Sequence, residues 1–289
     1  MPDVHLAIDI GGAKLTAGVV DAQGVVVVRD RVPTPSRDVW GALARLVSRV
    51  MAASPVQPVG CGVACAGPID SSTGRASPIA IPSWREFPLG ELVGELTSLP
   101  VSIDTDAQAF TAGEAWIGAA RGASDVVGVL LGTGVSAGII SGGRLLRGHH
   151  GNAGGIGHIV VEPEGRACIC GGQGCLDAYC TVAAIEAETG RSTQRAPVVI
   201  MERTGTLLGR ALASLGAIVD LRLAVIGGPL AATFGDVMFA ALRDEVDRRA
   251  CLGFLRPFEV VPASLGNDAA LVGAVALGRS PLRPVPTGG

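Results

Sequence analysis

The sequence predicts an α/β protein of two related domains facing each other across a cleft, and three observations predict it. Short apolar runs alternate with helix-period stretches along the whole 289 residues, the pattern of strands joined by helical crossovers. A Gly/Val-rich segment occurs twice, as "GGAKLTAGVVDAQGVVV" at 11–27 and "LGTGVSAGIISGGRLL" at 131–146. At an offset of 120 residues Gly12 meets Gly132, Thr16 meets Ser136, Ala17-Gly18 meet Ala137-Gly138, and Val19-Val20 meet Ile139-Ile140. The third observation is composition: 48% hydrophobic residues with 17% charged can bury a core and is unlike a disordered chain. This length suits one large domain or two smaller ones sharing a cleft.

The elements follow in order. "LAID" is an apolar strand that runs into a glycine turn; a second strand, a turn at "DAQG" and a third strand complete an antiparallel meander, since β-branched runs bounded by Gly and Asp read as hairpins. A helix is expected at 38–53, a buried strand at 59–67 ("VGCGVACAG"), and a strand from 101 that passes through "DTD" into a helix at 107–119. The second meander starts at "VVGVL" and turns at "LGTG" and "SGG". Helices at 181–189, 204–218, 235–251 and 268–277 and a buried strand at 223–228 complete the chain. The expected domains are 1–105 and 106–267, with a closing helix at about 268–280 packing back on the first and a Pro/Gly-rich flexible tail at 281–289.

Charge excludes some functions. Net charge is −3, Lys14 is the single lysine and the arginines are scattered, so no footprint for nucleic acid or an anionic membrane is present. The N-terminus lacks a basic stretch followed by an apolar run, so no signal peptide is expected. The uncharged run 126–143 is punctuated by six glycines and reads as strands, not a membrane span. Seven cysteines, an odd number without secretory context, fit a cytoplasmic protein with reduced thiols.

Three glycine turns follow strands. "DIGGAK" holds Asp9, Gly11, Gly12, Ala13 and Lys14; "LGTG" holds Gly132, Thr133 and Gly134; "VIGGPL" holds Gly227 and Gly228. Glycine lets backbone N–H groups converge on an anion with no Cβ in the way. Asp9, at a strand end, could hold Mg²⁺ through water. Any one of these is by itself an ordinary turn. No dinucleotide fingerprint and no P-loop occurs in the strand–loop–helix context each requires.

His158, Cys168, Cys170 and Cys175 are spaced H-x9-C-x-C-x4-C. One imidazole and three thiolates suit tetrahedral Zn²⁺, and four protein ligands leave no open position, so the expected site is structural. Free thiols in a loop are the alternative. His149 and His150 read as solvated loop residues. Asp106 stands where a strand gives way to a helix; it reads either as an N-cap or as a carboxylate able to take a proton from a substrate hydroxyl.

Together these segments resemble the ROK family of bacterial sugar kinases and sugar-responsive repressors, of the actin/hexokinase-like superfamily. "DIGGAK" resembles the family's D-I-G-G-T-K, "GVACAGPID" its G-I-G-A-P-G-P-V-D, "IPSW" its L-P-G-W, and "DTDAQAFTAGE" its E-N-D-A-N-A-A-A-L-G-E. "LGTGVSAGII" and "GRLLRGHHGNAGGIGH" follow the second phosphate and the sugar motifs, "CICGGQGCLDAY" the zinc signature, and "NDAALVGAVAL" the closing helix. The resemblance implies two RNase H-like domains with ATP and sugar between them, and transfer of the γ-phosphoryl group to a sugar hydroxyl, usually the 6-OH. It implies Asp106 as general base, Asp9 as the Mg²⁺-positioning acid, and Gly11, Gly12, Ala13, Lys14, Gly132, Thr133 and Gly134 at the phosphates, with Gly227 and Gly228 near the nucleoside. Gly67, Asp104, Thr105, Gly155, His158 and Asp177 would line the sugar beside Asp106. The family also suggests a homodimer or homotetramer.

The sequence departs from the pattern where the family reads sugar. Gly155 replaces the glutamate of G-E-I-G-H, Thr105 an asparagine, Gln108 a second asparagine, and Asp177 a glutamate; Ala13 replaces a phosphate-turn threonine and Ala80 a frequent asparagine. Changed hydrogen-bonding partners change which sugar is accepted. The expected substrate is therefore an amino or otherwise modified hexose, such as the kanosamine that one family branch phosphorylates in antibiotic pathways. The rivals are an ordinary glucokinase or N-acylhexosamine kinase, and an inactive sugar sensor. A repressor of the same family would carry a helix-turn-helix ahead of the first strand, which here begins at about His5.

Overall fold

The computed structural model describes residues 3–278. The tail expected at 281–289 and the last residues of the closing helix lie outside the described residues. The chain runs β1 (Val4–Ile10), β2 (Lys14–Asp21), β3 (Val26–Pro33), α1 (Val39–Ala53), β4 (Cys61–Cys65), β5 (Ile69–Asp70), β6 (Arg75–Ala76), α2 (Leu89–Thr97), β7 (Val101–Thr105) and α3 (Asp106–Trp116). It continues through β8 (Val126–Leu131), β9 (Val135–Ser141), β10 (Arg144–Leu145), α4 (Asp177–Cys180), α5 (Val182–Thr189), α6 (Val198–Val219), β11 (Leu223–Gly227), α7 (Pro229–Arg249), β12 (Glu259–Pro262) and α8 (Ala269–Gly278).

Two five-stranded sheets share one plan. Their strand orders are β3-β2-β1-β4-β7 and β10-β9-β8-β11-β12. In each, the first three strands are an antiparallel meander and the last two add in parallel. The repeated segment is thus one meander built twice, and the molecule has the α/β architecture of the actin/hexokinase-like fold. The two hairpins differ by one residue. The closing pair Ile10↔Leu15 encloses Gly11, Gly12, Ala13 and Lys14, whereas Leu131↔Val135 encloses only Gly132, Thr133 and Gly134. The single lysine of the chain sits in the longer turn.

Helices and sheets stack in layers. Buried Leu43, Leu46, Val47 and Val50 of α1 pack with Leu6, Ile8 and Leu15 of the first sheet. Each fully buried Leu or Ile of this kind contributes about 1.5–3 kcal/mol. α8 covers β1 and β4 on the other face, α3 covers β8 and β9, and α3 and α8 pack against each other between the sheets. Small residues allow that close approach: a Cβ on Gly62 would lie 1.9 Å from the Ala274 carbonyl oxygen, and one on Gly273 2.1 Å from that of Ala109. α6 and α7 pair beyond the second sheet.

The structure corrects several boundaries. α2 is a helix the sequence reading missed; Gly90 and Gly94 interrupt its pattern, yet Leu89, Val93 and Thr97 are buried along one face. α6 starts at Val198, not 204, and α7 starts at Pro229, not 235. Gly235 is a break inside α7, at φ 49° and ψ −141°, so the glycine that looked like a helix start is a kink between two stretches. The strand expected at 59–67 is trimmed to β4, and the helix expected to 119 ends at Trp116. Among the described residues no helix is long and apolar enough to cross a membrane.

Candidate active site

Parallel register assembles the reactive groups. Ile10, Cys65 and Thr105 are Cα partners across β1, β4 and β7, so Asp9 and Asp106 reach the same edge of the first sheet, outside the carboxyl ends of its strands, where α/β sheets hold ligands. Both carboxyls keep part of their surface open while most of their environment is protein. Burial, the Asp106 charge and, in opposition, Lys14 leave the Asp9 carboxyl pushed up to about 7. Burial pushes Asp106 up to about 6, against the lowering effect of the Ala107 N–H. Cys65 lies beneath the pair; burial first, then Asp106 and Asp9, hold its thiol well above the usual range. No sequence signal pointed to Cys65, because β4 reads simply as a buried strand.

The N-cap of α3 is Thr105, not Asp106. Thr105 Oγ1 accepts the Gln108 N–H at 3.3 Å. Asp106 is the first helical residue, and its Oδ1 accepts the N–H of Ala107 at 2.7 Å. Its carboxylate therefore sits at the positive end of the helix with the capping task met by its neighbour. The Thr105 methyl faces Gly67, where an added Cβ would lie 3.6 Å from Cγ2.

Asp104 is placed differently from the sequence expectation. It is completely buried and accepts the Arg147 Nε–H at 2.9 Å and the Thr105 N–H at 3.1 Å. Burial raises its pKa against the pull of Arg147. Its carboxylate is engaged by Arg147 and by the backbone of Thr105. Asp177 Oδ1 accepts the Val135 N–H at 2.8 Å, so it pins the start of β9, just past the Gly132–Thr133–Gly134 turn, to α4; burial raises its pKa, while Val135 and then His158 lower it. Gly155 is exposed, and a Cβ there would meet nothing within 4 Å.

The phosphate-type turns are held as hairpins. Gly11 N–H donates to the Lys14 carbonyl at 3.0 Å, and a Cβ on Gly12 would lie 2.5 Å from Ala80 Cβ. Gly132 N–H donates to the Gly134 carbonyl at 3.0 Å, and the Gly132 carbonyl accepts the Val182 N–H at 2.9 Å. Gly228 has φ +96° and backs onto Leu131, where a Cβ would come 2.4 Å from the carbonyl oxygen. Gly227 and Gly228 therefore lead straight from β11 into α7 beside the second turn.

The ligand atoms of His158, Cys168, Cys170 and Cys175 all lie within 4.8 Å of one another. The Cys168 Sγ···His158 Nδ1 and Cys170 Sγ···Cys175 Sγ separations are both 3.8 Å. Four ligands at about 2.0–2.3 Å from one ion would stand at such separations. A cavity of ≈ 660 Å³, lined in part by Ser71, Ser102, Arg147 and His150, has neither Asp9 nor Asp106 in its lining.

Two glycine hairpins, the Asp106 carboxylate at a helix start and the doubled fold are features of an ATP-dependent sugar kinase, the class to which the relatives of this chain belong. The protein belongs to the ROK family, whose model matches residues 5–280. It is 33% identical to the glucokinase of Streptomyces coelicolor, over 96% of this chain and 98% of that one. It is 32% identical to the N-acetylmannosamine kinase of Escherichia coli O157:H7, over 94% and 97%. The ROK glucokinase of Streptomyces griseus, solved with glucose and AMPPNP, superposes with a TM-score of 0.80 at 29% identity, covering 95% of this chain and 98% of that one.

Proposed function

We propose that this kinase transfers the γ-phosphoryl group of ATP to the 6-hydroxyl of a hexose carrying an amino or other substituent, kanosamine being the first candidate. The observation that carries the kinase reading is Asp106, relieved of capping by Thr105 and partly open at the sheet edge. Its carboxylate takes the hydroxyl proton as the sugar oxygen bonds to the γ-phosphorus and the bond to the ADP oxygen breaks. With the Gly11 and Gly132 N–H groups closing the hairpins, the turn N–H groups of Gly12, Ala13, Thr133 and Gly134 would cradle the anionic phosphates. Asp9 would hold Mg²⁺: its carboxyl, pushed up by burial and by the Asp106 charge, is one that a divalent cation would keep ionised, leaving Asp106 free to act as base. That ion supplies charge stabilisation on the phosphoryl oxygens. The donor set of His158 and the three cysteines fits Zn²⁺ in a bracing role.

The modified-hexose reading is supported by the space at Gly155 and by the withdrawal of Asp104 toward Arg147, which leave fewer fixed acceptors for plain hydroxyls. Phosphorylation of glucose or of an N-acylhexosamine is the second reading, favoured by the two curated relatives. Turnover across glucose, mannose, glucosamine, N-acetylmannosamine and kanosamine decides it. The amino hexose is expected to give the highest kcat/KM; glucose ahead by a large factor would overturn the substrate assignment and leave the kinase reading intact. We take the domains to meet between Thr105 and Asp106, with α8 returning to the first, and the assembly to be a cytoplasmic homodimer or homotetramer, which light scattering would test.

A further inference from the structure

The loop at 147–153 is tied to three separate elements. Arg147 binds Asp104 on β7. Gln108, wholly buried in the first turn of α3, donates from Nε2 to the carbonyls of Gly151 at 3.0 Å and Ala153 at 3.2 Å. The third tie is Asn152. Its Oδ1 accepts the Ile69 N–H and its Nδ2 donates to the Ile69 carbonyl, both at 3.0 Å, with a further bond to the His150 carbonyl. A carboxamide that gives and takes one hydrogen bond with a single residue imitates one rung of a sheet. The reverse amide orientation would set an NH₂ against an N–H, so the network fixes which way it points.

These ties close a ring around the sugar side of the site. Asp106 and Gln108 share one helical turn; Gln108 holds the loop; Asn152 on that loop holds Ile69 of β5; Ile69 lies two residues beyond Gly67. Gly67 in turn faces Thr105 and Asn152, where an added Cβ would lie 3.6 Å from Thr105 Cγ2 and 3.9 Å from Asn152 Oδ1. The contact also bridges the two halves, since β5 lies between β4 and β7 of the first sheet in the chain and the loop follows β10 of the second. Gly151 backs onto the same first-half turn, with Ser71 Oγ 2.5 Å from an added Cβ.

We propose that Asn152 is a positioning residue for the sugar, clamping the turn from Gly67 to Ile69 against the loop that Gln108 holds beside the base and so setting the width of the sugar pocket. The inference rests on the sugar-kinase reading of the site. Asn152 is exposed, so its replacement by alanine creates no buried cavity. The test compares wild type and Asn152→Ala by steady-state kinetics on the preferred hexose and by amide hydrogen exchange. In the variant the sugar KM is expected to rise about tenfold while the ATP KM stays within about twofold, a split that general loosening would not give. The Ile69 N–H, protected in wild type, should exchange about tenfold faster.

An unchanged sugar KM alongside faster Ile69 exchange would overturn the inference, as would an unprotected Ile69 N–H in wild type or an equal rise in both KM values. If wild type phosphorylates no hexose, the kinase reading fails and takes the inference with it. Wild-type turnover with unaltered variant KM removes the inference alone.

Discussion

At the start of α3 two adjacent side chains divide two tasks. Thr105 satisfies the backbone of the helix, and Asp106 is left with a carboxylate that is largely enclosed by protein and raised by burial to about 6. The first expected consequence is kinetic. Asp106→Asn keeps the shape and loses the base, so kcat should fall by about 10²–10⁴-fold with the circular dichroism spectrum unchanged; undiminished turnover would take Asp106 out of the mechanism. A base must be deprotonated to act, so kcat/KM in wild type should climb with pH through about 6 and then level. The place of Asp106 was legible in advance, because it stood at a strand-to-helix junction. What was not legible was that Thr105 makes the cap and that Arg147 occupies Asp104, since both depend on side-chain directions that local sequence does not fix.

At the scale of elements, the α3–α8 contact joins the two sheets through glycine and alanine. Gly273→Val should be strongly destabilising, by more than the usual 1–3 kcal/mol of overpacking, because the backbone oxygen of Ala109 stands 2.1 Å from the new Cβ and cannot yield as a side chain would. Chemical denaturation would measure it, and a change below about 1 kcal/mol would show that the helices can part. The cysteine loop makes a second element-level case. Purified protein is expected to carry about one zinc per chain by elemental analysis. Chelation should lower the melting temperature and raise the sugar KM, since α4 and Asp177 hang on the loop's end and hold the start of β9. Elements with strong periodicity or paired turns, such as the two meanders and α1, could be read from the sequence. α2 and the true starts of α6 and α7 could not, because glycine within a helix imitates a boundary until packing shows otherwise.

For the whole molecule, opposing carboxyls set the pH range of stability. Glu188 is held down to about 2 by Arg203 and Arg166, so its contribution is present above its ordinary value of 4.5 and is lost as pH falls toward 2. Asp106 works the other way: its folded value of about 6 lies above the usual 3.8, so its contribution is present in acid and is lost as pH rises through 6. Ligand-free protein should therefore melt highest at about pH 4, where folded Glu188 is ionised and folded Asp106 is protonated, and should lose stability as pH rises from there through 6. At pH 8, Asp106→Asn should melt about 2–4 °C above wild type, corresponding to about 1 kcal/mol for a chain of this size. A variant that melts lower at pH 8 would show that the ionised carboxylate is not a burden to the fold.

The sequence by itself determined the doubled meander, the glycine turns and the grouping of His158 with three cysteines, because turn chemistry, strand periodicity and metal-ligand spacing are local properties that short stretches carry intact. Only the tertiary structure decided which acids become partners. The parallel register of β1, β4 and β7 brings Asp9 to the edge where Asp106 begins α3, and the loop at 147–153 is tied to β7 through Arg147, to α3 through Gln108 and to β5 through Asn152. Those contacts join residues far apart in the chain, and burial and hydrogen-bond geometry select among partners that local sequence leaves equivalent.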